Sequence, residues 1–170
     1  DYIPHSYWVY DTVDYYITPS EDVSARLEKK GVASYKIKPY GIPFDHKFNQ
    51  KPDKQGIFHK LKINPQKPVV LIMGGGQGLG PIKTIVKSLE KSKHDVTELI
   101  VAGTNKKLFR SLRSKIKHYK KDINLFGFIQ NIHELMAVSN VIISKPGGVT
   151  TAEVLSMGLP MIIVKPIPGQ

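Results

Sequence analysis

The sequence contains no cysteine and a single tryptophan, sets only 14 acidic residues against 25 lysines and arginines, and has no long hydrophobic run. Without cysteine there is no disulfide, which fits a reducing compartment. The longest apolar run, 159–164 with its proline counted, is far shorter than the roughly 20 residues of a membrane-spanning helix, and residues 1–20 do not read as a signal peptide. The six histidines show no metal-ligand spacing, and no Ser/His/Asp arrangement emerges from these positions. The shortage of acids leaves a formal net charge of +11, which suits anionic lipid surfaces, nucleic acid or anionic substrates. A chain of 170 residues buries a real core and holds one domain of ordinary size with room for an appendage. It begins with Asp1 and ends at Gln170 after Pro168-Gly169, which leads us to expect a piece of a longer protein.

Glycine is concentrated in one place. Val69-Val70-Leu71-Ile72-Met73 runs straight into Gly74-Gly75-Gly76-Gln77-Gly78-Leu79-Gly80-Pro81. Five apolar residues, a glycine-rich loop and a proline opening an amphipathic pattern predict a buried strand, a tight turn and a helix N-terminus. A loop without Cβ atoms lets its backbone approach a ligand closely, and the free N–H groups at the helix start favour an anion. The alternative is a turn that binds nothing. The loop matches neither the P-loop, since no Lys-Ser/Thr follows, nor a strict G-x-G-x-x-G, so neither an NTPase nor a simple NAD enzyme is indicated.

Along the chain, an aromatic-rich start leads to a predicted strand over 13–18. Thr18-Pro19-Ser20-Glu21 has capping-box spacing ahead of a short helix that Gly31 ends, and a strand follows over 35–40. The Pro/Lys/Gln/Asn-rich stretch 44–68 predicts a domain boundary. From Val69 onward, strands at 69–73, 98–102, 123–126, 141–144 and 161–164 alternate with helices at 81–92, 105–119, 131–138 and 151–157. That alternation predicts an α/β fold, a Rossmann-like doubly wound parallel sheet. Ligands of such sheets bind beyond the carboxyl ends of the strands.

Three loops meet that description: 74–80, Gly127-Phe128-Ile129, and Lys145-Pro146-Gly147-Gly148-Val149-Thr150-Thr151-Ala152-Glu153. In the third, Gly147-Gly148 precede a helix start whose N–H groups point at an anion. Thr150 and Glu153 have capping-box spacing, and spacing alone favours Glu153 as the cap of its own helix. The other reading gives its two carboxylate oxygens to a pair of vicinal hydroxyls, as on a ribose.

The run 145–153 with Gly158-Leu159-Pro160 and Lys165-Pro166-Ile167-Pro168-Gly169-Gln170 resembles the donor-site signature of the processive diacylglycerol glucosyltransferases. The plant-type monogalactosyldiacylglycerol synthases and the peptidoglycan glycosyltransferase MurG belong to the same wider group. Further matches are Asp1-x-x-x-His5-x-x-Trp8, Val13-Asp14, Gly41-Ile42-Pro43, the 74–80 loop, Ala102-Gly103-x-Asn105-x-x-Leu108 and Gly127-Phe128-Ile129-x-Asn131. The resemblance implies the C-terminal half of a GT-B glycosyltransferase with a remnant of its N-terminal domain. Residues 1–46 would be the tail of the acceptor domain and the linker, and 47–170 the UDP-sugar-binding domain, truncated at its C-terminus.

Carried over by resemblance, Gly75, Gly76 and Gln77 lie near the diphosphate, and Gly147, Gly148, Thr150 and Thr151 support the phosphates. Phe128 and Ile129 flank the uracil, Glu153 takes the ribose hydroxyls, and Gln170 faces the sugar. The family's acceptor-side loop, with the histidine usually assigned as base, would lie upstream of Asp1, so no catalytic base is assigned here; His5 matches a family histidine but is not taken as the base. The implied reaction moves a hexose from UDP-glucose or UDP-galactose to diacylglycerol, the fragment alone being inactive. The UDP-sugar is a substrate, and no metal or cofactor is expected. The expected location is the inner face of the cell membrane, peripheral and cytoplasmic, on an anionic surface. Rival readings are a non-catalytic nucleotide-sugar module, a MurG-like transferase with another lipid-linked acceptor, and a nucleic-acid-binding domain. The cations at 106–121 lack the aromatic platforms that base stacking needs, so no nucleic-acid partner is expected.

Overall fold

The computed structural model describes residues 3–164. Its amino-terminal part is small: β1 (Tyr16–Ile17) and β2 (Ile37–Lys38) pair in parallel around α1 (Glu21–Glu28). Leu27, Val32 and Ile37 form a separate core there, with Val9 and Tyr16 against it. The strands predicted over 13–18 and 35–40 shrink to two residues each, the second preceded by a 3-10 turn over Ser34–Lys36. The capping box is also corrected. Ser20 is the N-cap of α1 and makes no side-chain cap bond, whereas the Thr18 hydroxyl is turned inward, 2.7 Å from that of Ser24.

From Val69 the chain forms a five-stranded sheet from β3 (Val69–Met73), β4 (Thr97–Val101), β5 (Asp122–Phe126), β6 (Val141–Ser144) and β7 (Met161–Ile163). The order is β5-β4-β3-β6-β7 with every neighbouring pair parallel. The connections are α3 (Ile82–Glu90), α4 (Lys106–Lys115), α5 (Ile132–Val138) and α6 (Gly148–Ser156). All five side chains of β3 are buried, because it is the central strand and both of its faces are covered. Val70 and Ile72 face a core with Ile82, Val86, Leu108 and Leu112 of α3 and α4. Val69, Leu71 and Met73 face the opposite core with Leu135, Met136 and Val154 of α5 and α6. The doubly wound sheet is therefore the one expected, with helices on both faces.

Two expectations change. The stretch 44–68 contains a helix that sequence reading missed, α2 (Lys54–Leu61), whose Ile57 joins Phe48 and Ile63 in the α5/α6 core. Asp53 caps it by accepting from Gly56 N at 3.1 Å, and Lys62, at φ 54°, ends it in the left-handed region. The last helix, expected to open at Thr151, opens at Gly148, because Gly147 is the extended N-cap residue and the chain turns helical directly after it.

Candidate functional site

The winding reverses between β3 and β6: α3 and α4 lead outward to β4 and β5, and α5 carries the chain back across to β6. In open parallel sheets the crevice at such a reversal is where ligands bind. A cavity of about 350 Å³ lies there, lined by Gly74, Gly75, Gly76, Gln77 and Leu79 from one side and by Ser144, Lys145, Gly147, Gly148, Val149 and Thr150 from the other. Two backbone turns thus face each other across it. Gly147 caps α6 in an extended conformation, leaving the first N–H groups of that helix pointing into the crevice. In the facing loop Gly78 N bonds Gly75 O and Leu79 N bonds Gly74 O, each at 3.0 Å, and closes the turn. Among the described residues no carbonyl accepts from the N–H groups of Gly75, Gly76 or Gln77. An arrangement of unpaired N–H groups around a closed turn is suited to the oxygens of an anion.

A second cavity of about 390 Å³ adjoins the first, lined by Gly103, Thr104, Lys106, Phe109, Arg110, Gly127 and Phe128. Phe128 is 61% exposed, a large apolar ring open to solvent at the cavity wall. An added Cβ at Gly76 would lie 4.0 Å from Phe128 Cε2, so the ring stands directly beside the glycine loop. A flat apolar group with a phosphate chain attached matches the two spaces in sequence.

Of the residues expected at the site, Gly75, Gly76, Gln77, Gly147, Gly148 and Thr150 converge on the first cavity and Phe128 lines the second. Ile129 packs against the α5/α6 core beside them. Thr151 does not line the first cavity. One residue on from Thr150 is about 100° round the helix, and Thr151 faces a third cavity of about 630 Å³ with Ile42, Phe44, Tyr40 and Leu155. Gln170 lies outside the described residues. Glu153 is half-buried and sits one helical turn beyond Thr150 and Val149. Because α6 begins at Gly148, Glu153 is too far along to serve as a capping-box residue, and that reading of it is withdrawn. Burial holds its carboxyl above the ordinary carboxylate range; Lys47 opposes the shift and Asp45 adds to it.

Sequence reading missed several neighbours. Lys145 is only 7% exposed yet lines the first cavity, its stem running beside the loop at 3.7 Å from where a Cβ on Gly80 would stand. Its place directly before Pro146-Gly147-Gly148, at the end of a strand, was the available signal. Lys106 and Arg110 line the Phe128 cavity, although their segment was weighed only for anionic surfaces and nucleic acid.

Comparison with known proteins gives two family matches, the glycosyltransferase family 28 C-terminal domain over residues 69–169 and monogalactosyldiacylglycerol (MGDG) synthase over residues 1–44. Among curated proteins, the processive diacylglycerol beta-glucosyltransferase of Bacillus licheniformis is 35% identical over 171 residues, covering 100% of this chain. That of Bacillus subtilis is 32% identical over the same span. The chain spans 44% of the length of each. Among solved structures, HepE of Anabaena in complex with UDP-glucose has a TM-score of 0.58 at 17% identity, covering 90% of this chain and 45% of that one. A glycosyltransferase from Rickettsia africae has a TM-score of 0.65 at 20% identity, covering 96% and 49%. These likenesses establish the fold.

Proposed function

Because the chain belongs to the family defined by the glycosyltransferase family 28 C-terminal domain, we propose that it is the donor half of a lipid hexosyltransferase. It holds a UDP-hexose, UDP-glucose or UDP-galactose, for transfer to diacylglycerol. The observation that carries this reading is the crevice between β3 and β6, where two turns present unpaired N–H groups to one cavity and the exposed ring of Phe128 stands beside it. In this reading the uracil lies against Phe128 and Ile129. Gly75, Gly76 and Gln77 meet the diphosphate from one side, and Gly147, Gly148, Thr150 and Lys145 meet it from the other. Glu153 accepts from the ribose hydroxyls, and Gln170 faces the sugar.

In the reaction the hydroxyl oxygen of diacylglycerol forms a bond to the anomeric carbon, the bond from that carbon to the diphosphate oxygen breaks, and the hydroxyl proton passes to a general base. Charge grows on the departing UDP, where fixed N–H dipoles and the Lys145 cation oppose it without reorganising. The base is not among the residues placed in the donor site. We assign residues 1–46 to the acceptor domain's tail and the linker, and 47–170 to the donor domain. The separate small core around Leu27, Val32 and Ile37 supports this division, as do the two family matches on either side of residues 45–68. The named activity of the Bacillus proteins supports diacylglycerol as acceptor. No helix is long and apolar enough to cross a membrane among the described residues, and the cationic surface supports peripheral attachment to anionic lipid on the cytoplasmic side.

The test is transfer itself. The intact polypeptide that carries this chain, given diacylglycerol in vesicles and labelled UDP-glucose or UDP-galactose, should release UDP and form hexosyl-diacylglycerol. Absence of labelled lipid with both donors would overturn the acceptor assignment.

A further inference from the structure

The turn that follows β4 carries no residue given a role in the proposed chemistry, yet it is locked to the glycine loop. Thr104 N and Thr104 Oγ1 both donate to Gly76 O, at 2.8 Å and 3.2 Å. Asn105 Nδ2 donates to Gly78 O at 3.3 Å, while its Oδ1 accepts from Leu108 N at 2.9 Å and caps α4. Gly78 and Gly103, both at φ 58°, stand where the two turns touch: a Cβ on Gly78 would overlap Ala102 O, and one on Gly103 would overlap Gly76 O.

These bonds have a directional consequence. Across a trans peptide the C=O and the following N–H point in opposite directions. Holding the Gly76 carbonyl on Thr104 therefore turns the Gln77 N–H away from the β4–α4 turn, on the side where Gln77 and the neighbouring glycines line the crevice. Without the bond, the peptide that joins Gly76 to Gln77 is free to rotate about the glycine and present its carbonyl, which repels an anion. The same turn also lines the Phe128 cavity through Gly103 and Thr104.

We propose that Asn105 and Thr104 are positioning residues that latch the glycine loop with its N–H groups toward the second phosphate, and so set the preference of the site for a nucleoside diphosphate over a monophosphate. The proposal rests on the donor-site reading above. Asn105 has two separable duties: Ser at this position keeps an N-cap oxygen for α4 but is too short to reach Gly78 O. Thr104→Val removes one donor to Gly76 O and leaves the backbone donor in place.

Calorimetry with UDP and UMP distinguishes the possibilities. Wild-type protein should bind UDP more tightly than UMP, and equal affinities would overturn the donor-site reading and the latch with it. Asn105→Ser should weaken UDP about fivefold to tenfold, the loss of one hydrogen bond to a loop that holds a charged group, with UMP affinity and melting temperature unchanged. Thr104→Val should lower the UDP preference in the same direction by about threefold, and it carries the test if Asn105→Ser does not fold. A wild-type UDP preference that survives in the variant, or a variant that loses UDP and UMP in equal proportion, would leave the donor site standing and overturn the latch.

Discussion

Two glutamates whose carboxyls are raised by burial show how differently one residue type is used in this fold. Glu153 lies in the middle of α6, close to the donor crevice, with its carboxyl raised by burial, so it adds nothing to stability that a neutral amide would forfeit. Gln keeps its shape but replaces two charged oxygens with one carbonyl and an NH₂. Loss of a charge-assisted bond costs about 1.5–3 kcal/mol, so Glu153→Gln should weaken UDP binding at least about tenfold while the melting temperature holds. Unchanged affinity in calorimetry would remove the residue from the site. Glu98, in β4, is fully buried far from the crevice, and neither of its carboxylate oxygens has a partner among the described residues. Burial, then Glu90, pushes its carboxyl up to about 7, and Lys121 opposes them. Lys121 itself donates to Ser92 O at 3.0 Å and to His94 O, and Glu90 accepts from Lys120 N at 3.0 Å. The folded value lies above the ordinary 4.5, so the folded state holds its proton longer than the unfolded chain. Stability is therefore unaffected below the unfolded value, falls as pH rises from there to the folded value, and is level above it. The loss is on the order of 3 kcal/mol. Melting at about pH 5 and about pH 8 should show a decline in wild-type protein that is flatter in Glu98→Gln, and parallel curves would refute the assignment.

At the level of elements, what could be read in the sequence followed how much of each segment the core uses. β3 was plain because all five of its residues are buried, and α3 and α4 because each lays a full apolar stripe on the sheet. In α2, Ile57 is the only fully buried residue, with Phe58 and Leu61 partly covered, and a stretch of lysine, glutamine and proline with Gly56 inside the helix hides so narrow a stripe. The two short strands of the amino-terminal part were overextended because apolar and aromatic residues outside the two-residue ladder were counted as strand. The residues that line the crevice were legible where they are clustered glycines after a strand, a pattern that marks a turn of closely approaching backbone. For Lys145 the adjacent Pro146-Gly147-Gly148 was a local signal, but its buried place beside Gly80 depends on two strands 71 residues apart in register, Leu71 against Ile142. The bonds from Asn105 to Gly78 and from Thr104 to Gly76 likewise cross from one strand-end turn to another and leave no spacing within either turn.

Over the whole molecule the net charge of +11 is not evenly spread. Lys83 and Lys87 of α3 and Lys106, Lys107, Arg110, Arg113 and Lys115 of α4 are all exposed, and these two helices cover the same face of the sheet. Lys47, Lys60 and Lys67, which form ion pairs with carboxylates, lie elsewhere. The α3/α4 face is thus a cationic layer with little internal neutralisation, while the opposite face carries α2, α5 and α6. An anionic bilayer attracts such a layer by about 1 kcal/mol for each lysine or arginine near its surface, and the attraction fades beyond a Debye length of about 8 Å at physiological salt. The protein should therefore co-sediment with vesicles containing anionic lipid in preference to neutral ones, and added salt should release it. Replacing Lys87 and Arg113 with Ala removes two charges from that layer and should weaken the association at least about tenfold. Replacing Lys54 of α2, also an exposed lysine but on the opposite face, should have a much smaller effect. Binding that ignores lipid charge and salt, or that responds alike to changes on both faces, would show that this layer is not what meets the membrane.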